Sequence, residues 1–345
     1  MARLSPTLTD VPIHALNHVG ISTPDLPRLV AFYRDLLGFP EVGGFSWPVG
    51  NTAADEGMGV RDSSADVAIL NAGNMYLELF CFHTPTPAPL DPLRSVADEG
   101  ITHLCLETSD TDAVFARLAA GGAHVESEPV SVAGVVRIAA VRDPDGNIVE
   151  LQQMLTTAAP TWSGHLEVVV TPPAEADTER RQVELADGVL GVNHVGLSTG
   201  DLHRHLAFYR DAGRLSEVAR DGWDTTVRDG AAGSAAEHVV LDAGNVFLDF
   251  THYTAPTGRP QDPARPLIDH GLNHLCFDVS AIDALHAELV DAGLTYHKAP
   301  VTMPAGNAAM GYARDPLGTW VELLENRTTR ATMWCGHLQI RANPS

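Results

Sequence analysis

The chain has 345 residues, with 44 Asp+Glu against 22 Lys+Arg, 16 His, 4 Cys and a formal net charge of -22. Its length predicts about two domains at roughly 100–200 residues each, and an apolar share of 44% is that of a globular protein, not a disordered one. The charge argues against nucleic acid and anionic membrane as partners, because both are bound by clustered Lys and Arg.

The N-terminal MARLSPTLTD has no apolar signal region. No run approaches the roughly 18 apolar residues of a membrane span. Cys81, Cys105, Cys276 and Cys335 form no CxxC pair, so neither a zinc knuckle nor a redox dithiol is expected. A reduced, cytoplasmic protein follows as the expectation.

In chain order, NHVG at 17–20 opens a strand. Thr23-Pro24 then predicts a helix start, and Leu26, Leu29, Val30, Tyr33 and Leu37 keep helical spacing. Short alternating strands follow at 67–70 and 74–80. A second strand-helix unit begins with THLC at 102–105. Asp110 is its expected cap, with Val114, Phe115 and Leu118 inward and Gly121-Gly122 closing it. Strands at 135–141 and 147–152 complete the unit.

The chain then repeats. Residues 193–215 match 17–39 at 14 of 23 positions. AGNMYLELF (72–80) is answered by AGNVFLDF (243–250), GITHLCLE (100–107) by GLNHLCFD (271–278), and RDPDGNIVEL (142–151) by RDPLGTWVEL (314–323). Ser280 is the expected cap of the last helix, with Ile282, Leu285 and Leu289 inward. WSGHLEV (162–168) and WCGHLQI (334–340) predict an extra C-terminal strand in each copy. The expected organisation is therefore a first domain at 11–170, with modules at about 14–85 and 100–155. A linker at 171–188 leads to a second domain at 189–341, with modules at about 190–254 and 271–326. The fold class is α+β, with four βαβββ modules forming two domains.

Each module carries one His on its first strand and one carboxylate on its last. The first copy offers His18, Glu78, His103 and Glu150, and the second offers His194, Asp249, His274 and Glu322. A carboxylate inside an apolar strand is costly to bury unless paired or metal-bound. Two imidazoles and two carboxylates suit a divalent Fe, Mn, Co, Ni or Zn ion with room for water or substrate. A structural zinc site more often closes with Cys. Alternation places Cys105 and Cys276 on the ligand face, where small buried core residues are the plainer reading. Tyr76, His83 and His252 are further candidates for substrate-lining positions. His165 and His337 recur in WxGHL as cup-closing or structural residues. Arg34 and Arg210 are expected to pair on the helix surface.

In NHVG…FYRDLLGF, YLELF, THLCLE and RDPDGNIVEL the chain resembles the vicinal oxygen chelate superfamily, and it does so over nearly its whole length. That superfamily includes glyoxalase I, methylmalonyl-CoA epimerase, bleomycin-binding proteins and extradiol dioxygenases. The resemblance implies cupped mixed sheets built from paired βαβββ modules, with a metal inside each cup. It implies the eight residues above as ligands, with Glu78 and Glu150 as catalytic bases. The implied reaction is proton transfer beside a metal-bound carbonyl, in an isomerase, epimerase or glyoxalase-like lyase. The substrate is a small molecule with adjacent oxygens, and few basic residues favour one of modest charge. A homodimer is compatible with this reading. The alternatives are an Fe(II) ring-cleavage dioxygenase using His194, His274 and Glu322, and a non-catalytic binding or resistance protein.

Overall fold

The computed structural model describes residues 12–156, 166–170, 183–223, 235–296, 298–302, 306, 308–327 and 338–342. Module one comprises β1 (Ile13–Ser22), α1 (Leu26–Ala31), β2 (Glu41–Trp47), α2 (Thr52–Met58), β3 (Ser64–Asn71) and β4 (Tyr76–Thr84). Module two comprises β5 (Gly100–Thr108), α3 (Thr111–Ala120), β6 (His124–Val132), β7 (Val136–Arg142) and β8 (Ile148–Met154). A short β9 (Leu166–Val170) follows. Module three comprises β10 (Val189–Ser198), α4 (Leu202–Leu206), β11 (Ser216–Trp223), β12 (Ala235–Asp242) and β13 (Phe247–Ala255). Module four comprises β14 (Gly271–Val279), α5 (Ile282–Asp291), β15 (Thr295–Tyr296), β16 (Val301–Thr302), β17 (Ala308–Arg314) and β18 (Trp320–Asn326), and β19 (Leu338–Ala342) ends the described chain.

The modules join differently from the order in which they are encoded. One sheet runs β15-β17-β18-β14-β1-β4-β3-β2, with β16 on β17, and so unites modules one and four. The other runs β11-β12-β13-β10-β5-β8-β7-β6 and unites modules two and three. Each seam is an antiparallel pair of first strands, β1 with β14 and β10 with β5. Each first strand also runs parallel to the last strand of its own module. The four-ligand sets read along each repeat are therefore corrected: His18 and Glu78 share a sheet with His274 and Glu322, not with His103 and Glu150. Repeat boundaries and sheet boundaries do not coincide. The extra strands β9 and β19 pair antiparallel with each other, while His165 and His337 lie outside the described residues.

The helix-bearing faces of both sheets share one hydrophobic core, which includes Leu29, Tyr33, Val114, Leu118, Leu206, Tyr209, Leu285 and Leu289. Helices of one module reach turns of the next. Tyr33 Oη donates to Asp143 Oδ2 at 3.1 Å, and Tyr209 Oη donates to Asp315 Oδ2 at 3.0 Å. Two buried asparagines clasp the sheets reciprocally. Asn74 Nδ2 donates to the carbonyl of Val192 at 2.7 Å, and Asn245 Nδ2 to that of Leu16 at 2.8 Å. Each also accepts from the amide of the residue it grips. Both gripped residues sit at a register shift just before a candidate ligand His, between Leu16 and His18 and between Val192 and His194. The clasp thus satisfies backbone that the bulge leaves out of the ladder.

Three expectations about helix ends resolve as follows. Asp25, not Thr23, caps α1, its carboxylate accepting from Arg28 N, with Pro27 in the first turn. Thr23 still belongs to the strand end, its amide bonded to the carbonyl of Phe80. Asp110 caps α3 as expected, accepting from Ala113 N. Ser280 does not cap α5. Ala281 stands there at φ 52° with no side-chain cap, and the Ser280 amide bonds to the carbonyl of Pro12.

Candidate metal centres

In the first cup, His18 of β1 and His274 of β14 meet across the seam, Nε2 to Nε2, at 3.1 Å. Glu78 Oε2 of β4 lies 3.1 Å from His18 Nε2 and 3.7 Å from His274 Nε2. Glu322 Oε2 of β18 lies 3.3 and 3.5 Å from the same atoms. All four residues are buried. Register explains the convergence. Gly20 stands opposite His274 on one side and beside Glu78 on the other. A Cβ at Gly20 would meet the His274 ring at 2.1 Å, so the glycine of NHVG is the floor on which the partner imidazole rests. Gly196 serves His103 in the same way, at 2.0 Å.

The asparagine before His18, His194 and His274 sets the tautomer, a role not read from the sequence although the NH dipeptide recurs there. Asn17 Nδ2 donates to both oxygens of Asp278, which turns its Oδ1 toward His18 Nδ1 at 2.9 Å. Asn193 is held by Glu107 and meets His194 Nδ1 at 2.8 Å. Asn273 is held by the carbonyl of Leu267 and meets His274 Nδ1 at 2.7 Å. Thr102 meets His103 Nδ1 at 2.9 Å. With Nδ1–H donated to an amide oxygen, Nε2 presents a lone pair, the form in which imidazole binds metal.

The first cup then gathers two Nε2 lone pairs and two carboxylates with no proton among them. Glu78 Oε2 and Glu322 Oε2 are both buried, and among the described residues they have no polar partner outside the two imidazoles. Such a set requires a cation. Without a metal, a proton fills that need. Burial opposes charge on His18, but the Glu78 and Glu322 carboxylates override it and raise its pKa to about 10. Glu322 is held below the ordinary carboxylate range, burial being outweighed by His18 and His274. The donor chemistry fits a divalent ion of the transition series.

The second cup brings together His103, His194 and Glu150. His103 Nε2 and His194 Nε2 are 3.1 Å apart, and Glu150 Oε2 is 3.7 Å from His103 Nε2. Asp249 Oδ2 lies 3.7 Å from His194 Nε2 but does not join the convergent set. Its other oxygen is 2.6 Å from Nε2 of His238, a buried residue of β12 that sequence reasoning missed. The signal was present as a lone His inside the apolar stretch AEHVVL, at a position where the other copy has Val67. The dioxygenase triad of His194, His274 and Glu322 is not assembled, because His194 lies in the other cup.

The walls of the two cups differ. The first is aromatic, with Trp47, Phe80, Phe82, Tyr312 and Trp320 clustered beside the ligands. Tyr312 meets the His274 ring edge-on at 5.3 Å. Helix α2 packs against this wall, with Met58 buried in the aromatic cluster and Glu56 paired to Lys298 of module four. The second cup opens to a cleft lined by Val96, His103, Glu126, Ser127, Ile138 and Glu150. Cys105 and Cys276 lie on the ligand faces. Cys105 Sγ is 3.7 Å from Glu150 Oε1, and burial first, then Glu322, pushes the Cys276 thiol up. Tyr76 is buried at the foot of the aromatic cluster. His83 and His252 do not line either cup. Alternation turns His83 to the surface, where it pairs with Asp66, and turns His252 to the carbonyl of Thr199. Arg34 pairs with Asp35, and Arg210 with Asp211 and Glu217, all on the surface.

Two cupped sheets, each seamed from a pair of βαβββ modules around histidines and carboxylates, define the class. The chain belongs to the Glyoxalase/Bleomycin resistance protein/Dioxygenase superfamily, whose family model matches residues 15–151 and 191–323. Human mitochondrial methylmalonyl-CoA epimerase is 27% identical over 142 residues, covering 40% of this chain and 73% of that protein. Glyoxalase I of Zea mays has the same fold, with a TM-score of 0.61 at 17% identity over 90% of this chain and 92% of that one. A putative dioxygenase of Bacillus subtilis aligns with a TM-score of 0.59 at 12% identity, covering 92% of this chain and 87% of that one. Among the described residues no helix is long and apolar enough to cross a membrane.

Proposed function

We propose that the chain is a divalent-metal-dependent enzyme of glyoxalase or epimerase type, moving a proton beside a carbonyl in a small molecule with two adjacent oxygens. The observation that carries this reading is the first cup: two metal-ready imidazoles and two unsatisfied buried carboxylates converging on one point. His18, Glu78, His274 and Glu322 are the residues that hold the ion. When bound, the ion supplies Lewis acidity to a substrate oxygen and stabilises the charge that deprotonation leaves behind.

The rest is done by the chain's own side chains. Asn17 and Asn273 fix the imidazoles, so the ligand atoms are in place before substrate arrives. Glu78 takes the proton and returns it to the same face of the neighbouring carbon, which gives isomerisation, whereas epimerisation needs a second donor on the opposite face. A base so placed typically contributes about 10²–10⁴-fold. The aromatic wall and α2 exclude water from the reacting carbon. In the second cup the base is Glu150, the counterpart of Glu322, because Asp249 stands in the place of Glu78.

The test uses the metal-loaded protein in D₂O with a 2-hydroxy ketone or 2-keto acid probe, followed by proton NMR. Loss of the C–H signal beside the carbonyl, abolished in Glu78→Gln, supports the reading. No exchange with any such probe, in protein carrying its metal, sinks it. A ring-cleavage reading has one specific observation in its favour. The second cup's two imidazoles and one carboxylate form the ligand set of non-heme Fe(II) oxygenases. Oxygen uptake by the Fe(II) form with catechols distinguishes the two.

A further inference from the structure

Strand β12 pairs with β13 so that Val240 lies opposite Asp249 and His238 opposite Thr251. In the first cup β3 pairs with β4 so that Ile69 lies opposite Glu78 and Val67 opposite Phe80. Three positions on the cup face thus differ together. Glu78 is answered by Asp249, Val67 by His238 and Phe80 by Thr251. The carboxylate is one methylene shorter in the second cup, and it meets two polar neighbours where the first cup has apolar ones. His238 is fully buried, with Nε2 2.6 Å from Asp249 Oδ1. Thr251 Oγ1 donates to the same oxygen at 3.4 Å.

We propose that His238 is a positioning residue that holds Asp249 out of the ligand set, making the second cup a three-ligand metal centre beside a four-ligand one. The inference rests on the metal reading above. A carboxylate in ion-pair contact with a buried imidazole is a poorer metal donor, and moving it to the metal would break that contact inside the core. Glu78 meets no such imidazole from outside the ligand set, because Val67 stands where the second cup has His238. In six-coordination the second centre leaves three positions to water or substrate, and the first leaves two. The two centres therefore differ in affinity and in exchangeable water.

Mn(II) binding to the full chain tests this, with the electron paramagnetic resonance of free Mn(II) reading affinity and water-proton relaxation reading bound waters. His103→Ala/His194→Ala leaves only the first cup, and His18→Ala/His274→Ala only the second. The second cup should bind more weakly and relax water more strongly. His238→Val added to the second background releases Asp249. It should tighten Mn(II) binding by about 10–100-fold, the size of effects from residues behind the ligands, and remove one exchangeable water. His238→Gln keeps a donor for Asp249 and should leave both readings near the parent, which also controls for folding. Weaker binding in His238→Val would make His238 a ligand and overturn the proposal. Equal affinity and hydration in the two single-cup backgrounds would overturn it while leaving the metal reading intact. Binding in neither background would overturn both.

Discussion

The two cups are built from the same modules on the same register, yet they differ in closure. His274 and Glu322 of the first are 0% and 2% exposed, whereas His103 and Glu150 of the second are 14% and 11% exposed. Tyr312 and Trp320 wall the first, and the residues standing in their places in the second are Ala140 and Ile148. Duplication kept what the backbone enforces, namely the histidines on the seam and the glycines beneath them. The wall side chains and the fourth carboxylate carry no such constraint, and there the cups have diverged. One fold thus presents a dry aromatic centre and a wetter, smaller-walled one in a single chain.

The comparison breaks most sharply if the cups are not made across the repeats. His18→Ala/His274→Ala should cost one ion per chain by elemental analysis, and His18→Ala/His103→Ala should cost both. Were ligands shared within a repeat, the outcomes would be exchanged. Activity should follow the first cup, with Glu78→Gln lowering turnover by about 10²–10⁴-fold.

The candidate ligands were legible because they recur at matched strand positions in four modules. Their grouping was not. His18 lies as regularly from His103 as His194 does from His274, and such spacing states equivalence, not contact. What decides the grouping is the seam of β1 with β14, a pairing across most of the chain that no local residue encodes. The Asn74 and Asn245 clasp belongs to the same category. His238 was hidden for the opposite reason: attention to matching positions passes over the place where the copies differ. The cap of α1 shifted by two residues because the backbone after β1 stays bonded to β4 longer than Thr23-Pro24 suggested.

A pH experiment sharpens the comparison next. Behind His194, Glu107 is raised to about 8, burial being the main cause, with the Asn193 and Gln152 donors opposing it. Behind His18, Asp278 is raised to about 6, again by burial first. A carboxyl with a raised value binds a proton in the folded chain that the unfolded chain has already released. Stability is therefore fullest below the unfolded value and falls as pH rises to the folded one. For Glu107 the loss runs from about pH 4.5 to 8, and for Asp278 from about 3.8 to 6. Glu107→Gln keeps an acceptor for Asn193 and removes the loss. It should match the parent in urea at pH 4 and exceed it at pH 8.5, by on the order of 5 kcal/mol at most. An advantage that is the same at both pH values would contradict the assignment. Asp278→Asn should complete its gain by pH 6.

The glycine floors give a smaller effect. Gly20→Ala must displace a His274 ring that is fully buried, and should cost about 1–3 kcal/mol as an overpacking change together with the first ion. Gly196→Ala meets His103, which is partly exposed and can turn outward. Its cost to folding should be lower, although the second ion is still lost. Equal costs in thermal unfolding would mean that the second cup is as tightly packed as the first.

The smallest effect separates the two helices that follow the partner strands. Asp110 accepts from Ala113 N at the start of α3, so Asp110→Ala should cost about 1 kcal/mol, the usual worth of an N-cap. In module four the expected capping serine lies one residue too early. Ala281 takes the cap position in a left-handed conformation, and the Ser280 backbone is tied to Pro12 instead. Ser280→Ala should then be nearly silent in urea unfolding. Ala281→Gly should stabilise, because glycine adopts that positive φ without the steric penalty of a Cβ. A serine variant as costly as the aspartate one would show that α5 begins earlier in solution and that the modules share their caps as well as their ligands.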